Sequence, residues 1–543
     1  MPRTMGPRWQ TGYTMMPNGL KHVAVAVAVA VAVALSTSPV HAQSVTLTPS
    51  PDGLVADYRL PVPVQRLVFA SPRVVRSDWS GRTAGLTLES ETVSGDSHFD
   101  RFSLLIRPDS TEADRGYIAL ARIGDGYVLY APALTADGAT LALDARLPAN
   151  WVMTPATDAS GYVYLGPVTA LQSLPSGAQT IGAAALSPLL RETAFGAFGA
   201  ATTFYTARFG SPEKTPVLAV TTQGAGPASF RGDVTDTGVI SARFNGESWA
   251  APDADAISQV VRFVFHETAH EWNSHSARPA EGSPWLHEGG AEYMAILGAI
   301  STGMMTEAEG RESLSGRLTG CRRATASRPD AARRMASGSA VYDCGTVVQW
   351  LADLELRESS RGVRSVLDVW AALIGRAKQG DAGYGPEDFR SALAPDSAVN
   401  VLFDGPADIR WDVLEARLAS LGVRWENQPS AHDYVVAALF HLNAANCGAG
   451  ASTGFYVRDG GYIEMDNDQS CGSLSGGTSL RSIEDLNPLE QSRAMFEAVQ
   501  KRCAAALSVR ITMRSGEEVA VACSRPLPTP TAYSLTASPT LKQ

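Results

Sequence analysis

The chain of 543 residues is poor in basic charge and in histidine, and beyond its N-terminus it has no long apolar run. Lys and Arg number 45 against 55 Asp and Glu, which gives a formal net charge of −10. Because binding to phosphates needs a basic face, the composition predicts no nucleic-acid partner. No segment after residue 42 is long and apolar enough to span a bilayer. A hydrophobic fraction of 45% with 18% charged residues indicates a globular protein of three or four domains.

The cysteines lack the CxxC spacing that is typical of thiolate zinc sites. All six lie in the C-terminal half of the chain, and an even number of cysteines in an exported protein predicts disulfides. Proximity in sequence suggests that each cysteine pairs with its neighbour, as Cys321–Cys344, Cys447–Cys471 and Cys503–Cys523.

The N-terminus has the composition of an export signal. Basic residues up to Lys21 precede the apolar run of residues 23–35, and the small residues that follow predict cleavage after Ala42. The alternative is a retained anchor, but thirteen residues span only about 20 Å as a helix, against roughly 30 Å of hydrocarbon. The sequence therefore predicts a signal peptide over residues 1–42 and a secreted or periplasmic protein with no membrane span after cleavage.

Periodicity and composition divide the rest of the chain and predict a multidomain α+β protein. Residues 43–175 alternate apolar and polar positions between Gly, Pro and Asp, which favours an N-terminal antiparallel β domain. Residues 176–300 mix helical spacing with short strands, and residues 301–425 are mainly helical. Residues 426–525 form a small α+β unit, and the Pro/Thr/Ser-rich residues 526–543 predict a flexible tail.

The stretch HETAH, residues 266–270, is the most informative of the chain. A long helix that begins at Asp253 or Asp255 places His266 and His270 at i and i+4 on one face. There both imidazoles can bind one ion at about 2.0–2.1 Å. Glu267 lies about 100° further round the axis, near the ion but not on it, which suits a base acting on metal-bound water. The alternative is a buried helix whose histidines find carbonyl partners.

A catalytic zinc site needs a third protein ligand and leaves its fourth position for water. The candidates are His275, His287, Glu288 and Glu292, of which His275 lies five residues beyond His270 and would point away from the ion. Glu288 and Glu292 stand at i and i+4 on the next predicted helix, so one can bind the ion while the other accepts from a ligand histidine. Their surroundings, WLHEGGAEYMAIL, are too apolar for a solvated acidic face.

HETAH followed by WLHEGGAEY resembles the gluzincin metallopeptidases, above all the alanyl aminopeptidases and the PDZ-bearing glycyl aminopeptidases. Their pattern is HExxH, eighteen residues and Glu in WLNEGFA; here the spacing is one residue shorter, and His287 stands where the family commonly has Asn. The resemblance implies one Zn²⁺ ion held by His266, His270 and Glu288, with Glu292 supporting a ligand histidine.

The resemblance also assigns folds and a further active-site residue. It implies a thermolysin-like catalytic domain over residues 176–300, and residues 426–525 faintly resemble the second half of a PDZ domain. The family's Y-x-K-G segment corresponds to AVYDCGTVVQWL, in which Cys344 replaces Lys. This makes Tyr342 the hydrogen-bond donor to the developing oxyanion; the alternative is a tyrosine that merely packs near a helix start.

One part of the aminopeptidase pattern is missing, the Gly-x-Met-Glu-Asn segment whose Glu holds the substrate's amino group. The corresponding stretch contains Gly-Ala-Gly at residues 224–226 but no Met-Glu. Asp233, Asp236 or Glu247 could replace that Glu. The segment GVISARFNG could still form the edge strand against which an extended peptide lies.

Together these features predict a zinc metallopeptidase of the aminopeptidase type that acts on peptides or proteins. Glu267 would take a proton from the attacking water and deliver it to the leaving amine, and Tyr342 would share the charge of the tetrahedral intermediate. The alternatives are an endopeptidase of the same fold and a non-catalytic relative that serves as a binding or scaffold protein.

Overall fold

The computed structural model describes residues 41–543 except 71–73, 75, 111–116, 157–158, 224–228, 327–329, 381–382, 449–450, 452, 459–460, 524 and 543. Apart from residues 41 and 42, the predicted export signal lies outside the described residues. Among the described helices, none has both the length and the apolar character that a bilayer crossing needs. The chain divides into two compact units, one of residues up to 172 together with 235–239, the other of residues 173–234 and 240–543.

The N-terminal unit is built from β-sheet, as the alternating pattern predicts. One sheet has the order β3-β5-β2-β1-β8 with β4 beside β5, and a second has the order β6-β7-β10-β9. Neighbouring strands are antiparallel except β1 and β8, which run parallel. The strands are β1 His41–Ser50, β2 Gly53–Val68, β3 Trp79–Gly81, β4 Leu86–Glu89, β5 Thr92–Ile106, β6 Leu120–Ile123, β7 Gly126–Tyr130, β8 Ala139–Ala145, β9 Trp151–Thr154 and β10 Tyr162–Pro167.

A five-stranded sheet follows, with the order β11-β12-β13-β15-β14. Its strands are β11 Gln172–Ser173, β12 Gln179–Gly182, β13 Val217–Gln223, β14 Ser229–Val234 and β15 Val239–Asn245. The prediction that GVISARFNG is the edge strand is wrong, because β15 lies between β13 and β14 and all of its residues are buried. β15 is paired on both sides, and the strand at this edge of the sheet is β14.

Helices α1 Pro188–Phe209 and α2 Ala254–His270 pack against this sheet, and α3 Pro284–Ser301 packs against α2. The long helix predicted around HETAH is α2, and its N-cap is Asp253, whose carboxylate accepts from the Ala256 amide at 2.8 Å. The turn after α2 is a π-helix, Glu271–Ser276. Pro284 starts α3, because its missing amide proton and fixed φ suit a first helical turn.

Residues 301–425 are mainly helical, as predicted. The helices are α4 Glu307–Thr325, α5 Ala331–Arg334, α6 Ala340–Ser360, α7 Val366–Lys378, α8 Pro386–Ser391, α9 Ala398–Asp404 and α10 Arg410–Ser420. Except for α5, all of these helices contribute buried side chains to one hydrophobic core together with α1, α2 and α3. The helical segment therefore packs against the segment that contains HETAH, and the two share a hydrophobic core.

The C-terminal segment has a hydrophobic core of its own. Its elements are β16 Arg424–Asn427, α11 Ala431–Asn446, β17 Phe455–Arg458, β18 Tyr462–Met465, β19 Ser479–Ile483, α12 Ser492–Ala504, β20 Val509–Met513, β21 Glu518–Val521 and β22 Tyr533–Ala537. Strands β17 to β21 form an antiparallel sheet in sequence order, with α11 packed against α12. This agrees with the predicted α+β unit.

The tail, by contrast, is not the flexible segment that its composition predicts. Strand β22 pairs antiparallel with β16, and Tyr533, Leu535 and Leu541 are buried in the large core next to α4. Composition misses this because three apolar side chains, spaced among Pro, Thr and Ser, are enough to fix the segment.

The structure confirms the predicted disulfide pairs. Cys321–Cys344, Cys447–Cys471 and Cys503–Cys523 are bonded, and none of the six cysteines is free. The first disulfide joins α4 to α6, and the other two lie in the C-terminal segment.

Candidate metal centre

Helices α2 and α3 bring two imidazoles and one carboxylate to a common point. His266 and His270 lie on one face of α2, and their Nε2 atoms are 3.2 Å apart. Glu288, in the second turn of α3, places Oε2 at 3.2 Å from His266 Nε2 and 3.5 Å from His270 Nε2. These three side chains form a group that could hold a metal ion.

The spacing of these three atoms fits zinc. Ligands at about 2.0–2.1 Å from a tetrahedral zinc ion lie about 3.3 Å from one another. The three separations are 3.2, 3.2 and 3.5 Å, all within about 0.2 Å of that value. Nitrogen and carboxylate donors of this kind are also the ones that zinc accepts in catalytic sites.

When both rings are neutral, the hydrogen bonds behind the histidines leave the facing nitrogens without protons. Asn273 donates its amide to the His287 carbonyl at 2.8 Å, so its Oδ1, 3.0 Å from His270 Nδ1, accepts. His266 Nδ1 in turn lies 3.2 Å from Glu292 Oε2. In the neutral rings both Nε2 atoms therefore present lone pairs to each other and to the Glu288 carboxylate. Three acceptors facing one another repel, so a cation between them, either a proton on one ring or a metal ion, stabilises the cluster.

The electrostatics of the cluster favour positive charge. Burial lowers the pKa of His266, but contacts with Glu288 and Glu292 outweigh it and raise that pKa to about 10. Burial raises the pKa of Glu288, yet the nearby imidazoles, His270 first, hold it well below its usual range. The carboxylate thus stays ionised beside the two rings, as a metal ligand must.

Glu292 is held by two arginines. Burial raises the pKa of its carboxyl, but Arg317 first and then Arg262 lower it well below its usual range. Arg317 Nη2 is 2.5 Å and Arg262 Nε is 3.3 Å from Glu292 Oε1, which leaves Oε2 facing His266. A carboxylate fixed in this way orients the imidazole that it contacts.

Glu267 and Tyr342, the other two residues that the sequence predicts for the site, are both partly accessible to solvent. Burial raises the pKa of Glu267, against the opposing effect of the two histidines. The Tyr342 ring centroid is 5.9 Å from that of His266. The negative charge of Glu288, followed by burial, raises the pKa of Tyr342 well above its usual value, so the hydroxyl keeps its proton.

Glycines at close contacts lie beside Glu288, Tyr342 and Glu267. A Cβ atom on Gly289 of α3 would overlap the backbone of Gly345 of α6, so the two helices cross where both lack side chains. This crossing lies one residue after Glu288 and three after Tyr342. On the other side, a Cβ on Gly232 of the edge strand β14 would lie 3.3 Å from the Glu267 carboxyl carbon, so β14 runs beside Glu267.

The remaining sequence candidates lie outside the three-atom cluster. His275 Nδ1 is 3.5 Å from Glu271, and His287 Nε2 is 3.4 Å from the second oxygen of Glu288. Asp233 is paired with the buried Arg243 at 3.0 Å. Asp236 lies in the turn between β14 and β15, and Glu247 begins a short 3-10 helix, Glu247–Ala250.

A second group of possible ligands is ruled out by its chemistry. His441 lies close to Cys503 and Cys523. The two sulfurs are bonded to each other, so neither is a thiolate that could bind an ion.

Sequence reasoning missed three residues that support the site. Asn273 fixes His270, Arg317 fixes Glu292, and Tyr384 donates its hydroxyl to the Asn273 carbonyl at 2.5 Å. The only signal was Asn273 itself, a polar residue three positions after HETAH. Arg317 and Tyr384 are distant in sequence and carry no motif.

No model of a protein family and no curated protein matches the chain. A crystal structure described as an aminopeptidase N family protein from Idiomarina loihiensis aligns over 92% of this chain and 98% of its own, with a TM-score of 0.59 and 14% identity. An M1 zinc metallopeptidase from Deinococcus radiodurans aligns over 67% of this chain and 93% of its own, with a TM-score of 0.37 and 16% identity. At such identity the first likeness establishes the fold alone, a multidomain α+β architecture.

Proposed function

We propose that the protein is a zinc-dependent metallopeptidase that is secreted or periplasmic and hydrolyses peptide bonds. The observation that carries the proposal is the convergence of His266 Nε2, His270 Nε2 and Glu288 Oε2 within 3.2–3.5 Å of one another. The fold shared with the aminopeptidase N family structure supports it. Three disulfides are in keeping with an oxidising compartment.

In this proposal His266, His270 and Glu288 would hold one zinc ion, and Glu292 would keep the His266 ring in place. When bound, the ion would act as a Lewis acid, which lowers the pKa of a water molecule and polarises the substrate carbonyl. The partly accessible Glu267 accepts a proton from the attacking water and returns it to the leaving amine. Tyr342, whose hydroxyl stays protonated, donates a hydrogen bond to the oxyanion.

The mode of cleavage has two candidates. The resemblance of the sequence favours an aminopeptidase. A specific observation favours an endopeptidase of the same fold: the acidic residue on the edge strand, Asp233, is 3.0 Å from Arg243, which is buried, and 3.7 Å from Arg231. A carboxylate neutralised by arginine is a poor anchor for a substrate amine. Extended peptides could still lie along β14, which is the edge of its sheet.

The division of the chain into domains is part of the proposal. We assign residues 43–175 to an N-terminal β domain, 176–300 to a thermolysin-like catalytic domain, 301–425 to a helical domain and 426–525 to a PDZ-like domain. The common core of α1 to α4 and α6 to α10 supports a tight association of the second and third. The C-terminal domain with its separate core is a stabilising domain.

A peptide library with free and acetylated N-termini tests the proposal. Purified protein should cleave the library, and a chelator should abolish cleavage until zinc is restored. Cleavage restricted to free N-termini identifies an aminopeptidase, whereas equal cleavage of both sets identifies an endopeptidase. Zinc binding without cleavage of any peptide would identify a non-catalytic relative that binds or organises partners.

A further inference from the structure

One face of α4 contacts all three helices that carry the candidate site, although α4 itself contributes no site residue. The hydroxyl of Ser313 accepts from Arg262 of α2 at 2.9 Å. Arg317 pairs with Glu292 of α3, and Cys321 is bonded to α6. Residues 313, 317 and 321 recur every four positions, so they lie on one helical face.

Arg317 is the centre of this face. Its guanidinium donates from Nη2 to Glu292 at 2.5 Å and from Nη1 to Asp343 at 2.9 Å. Glu292 contacts the His266 ring at 3.2 Å, and Asp343 is the residue after Tyr342. One planar cation therefore joins the support of a proposed metal ligand to the start of the helix that bears Tyr342. Lysine cannot bridge two carboxylates with the same fixed geometry.

Two further contacts hold α6 against α4 beside Arg317. A Cβ atom on Gly320 would overlap the Asp343 carboxylate, so the helices approach closely at this point. Cys344, the residue after Asp343, is bonded to Cys321. Asp343 is fully buried and cannot turn to solvent if its guanidinium partner is removed.

We propose that Arg317 is a positioning residue, and that through it the Ser313–Cys321 face of α4 sets the separation between the proposed metal ligand His266 and Tyr342. The inference rests on the proposed function, since it assumes that zinc binds at His266 and that Tyr342 acts beside it. It adds that α4, which contributes no zinc ligand, determines whether the proposed zinc ligands and Tyr342 are positioned to act together.

The test compares Arg317→Met and Arg317→Lys with a matched control, Arg417→Met. Arg417 also bridges two carboxylates, Glu355 at 3.0 Å and Glu358 at 2.6 Å. It lies on α10, and both glutamates lie in the last two turns of α6, at the opposite end of that helix from Tyr342. For each purified protein we measure the zinc dissociation constant by chelator competition, the melting temperature, and kcat and KM at saturating zinc.

Arg317→Met should weaken zinc binding about 10- to 100-fold, the range found for changes in residues that orient metal ligands. It should also lower kcat more than it changes KM, because Tyr342 loses its place. Arg317→Lys should restore part of the zinc affinity through its charge, and it serves as the folded variant if Arg317→Met does not fold. Arg417→Met should lower the melting temperature without changing either zinc affinity or kcat.

Unchanged zinc affinity and kcat in both Arg317 variants, with normal zinc binding by the wild-type protein, would overturn this inference and leave the proposed function standing. The same would follow if Arg417→Met lowered zinc affinity and kcat as much as Arg317→Met does. A wild-type protein that binds no zinc would overturn the proposed function, and the inference with it.

Discussion

Replacing Glu267 by Gln separates the proposed chemistry from the binding of metal. The amide has the same size as the carboxylate and cannot take a proton, while His266, His270 and Glu288 are untouched. General-base catalysis contributes about 10²- to 10⁴-fold. At about 1.4 kcal/mol per factor of ten, the substitution should raise the activation barrier by about 3–5 kcal/mol. We expect kcat to fall by that factor, with KM and zinc content close to those of the wild type.

The same substitution should not lower the thermal stability of the zinc-free protein and should tend to raise it. Burial raises the pKa of Glu267 in the zinc-free protein, so the folded state binds this proton more tightly than the unfolded chain does. The ionised carboxylate therefore costs stability as pH rises above its ordinary titration range, and at neutral pH that cost is present. Gln removes it, so the zinc-free variant should melt at the same temperature as the wild type or higher.

Calorimetry of the zinc-free proteins and steady-state kinetics of the zinc-loaded proteins provide the two readings. The matched control is Glu271→Gln, four residues further along the same segment, which pairs with His275 and has no proposed part in the reaction. A Glu267→Gln variant that retains near-normal kcat would refute the role of Glu267 as the base. A variant that loses its zinc as well as its activity would refute the separation of base from ligands.

Three further results are expected. Tyr342→Phe should lower kcat about 10²-fold or more without loss of zinc, as removal of an oxyanion donor does; normal kcat would show that the tyrosine only packs. Gly289→Ala should cost about 1–3 kcal/mol of unfolding free energy, because its methyl group meets the Gly345 backbone. Its control, Gly375→Ala in α7, has open space and should be stabilising by about 0.5–1 kcal/mol; equal effects in denaturant titrations would contradict the crossing. A chain that ends before Tyr533 should lose about 4 kcal/mol or more of unfolding free energy, because it lacks three buried apolar side chains and exposes the core surface that they cover. An unchanged denaturation midpoint would contradict the packing of β22.

Short-range patterns predicted the parts of the site that lie within one or two helical turns. The i, i+4 spacing in HETAH and in Glu288–Glu292 places side chains on one face of a helix whatever surrounds it. The pairing of Cys321 with Cys344, 23 residues apart, was predicted only from their order along the chain. The relative positions of α2 and α3, and hence the choice of Glu288 as ligand, came from resemblance to a family and not from the residues alone.

The features that sequence reasoning missed depend on contacts between distant segments. In the sequence, Arg317 is one of several charged residues on a polar helix. It bridges two buried carboxylates only because α3 and α6 pack close to α4. Strand order is equally non-local, so the sequence of β15 does not show that β14 pairs with its outer side. The composition of the tail predicts flexibility because its partner strand, β16, lies about a hundred residues earlier.

The most direct test is the zinc content of the purified protein measured after dialysis against trace zinc, together with that of Glu288→Ala. We predict one zinc ion per wild-type chain and a large loss in the variant, because its carboxylate oxygen is one corner of the three-atom cluster. A wild-type chain without zinc, or a Glu288→Ala chain that binds zinc as tightly as the wild type, would contradict the assignment of the site.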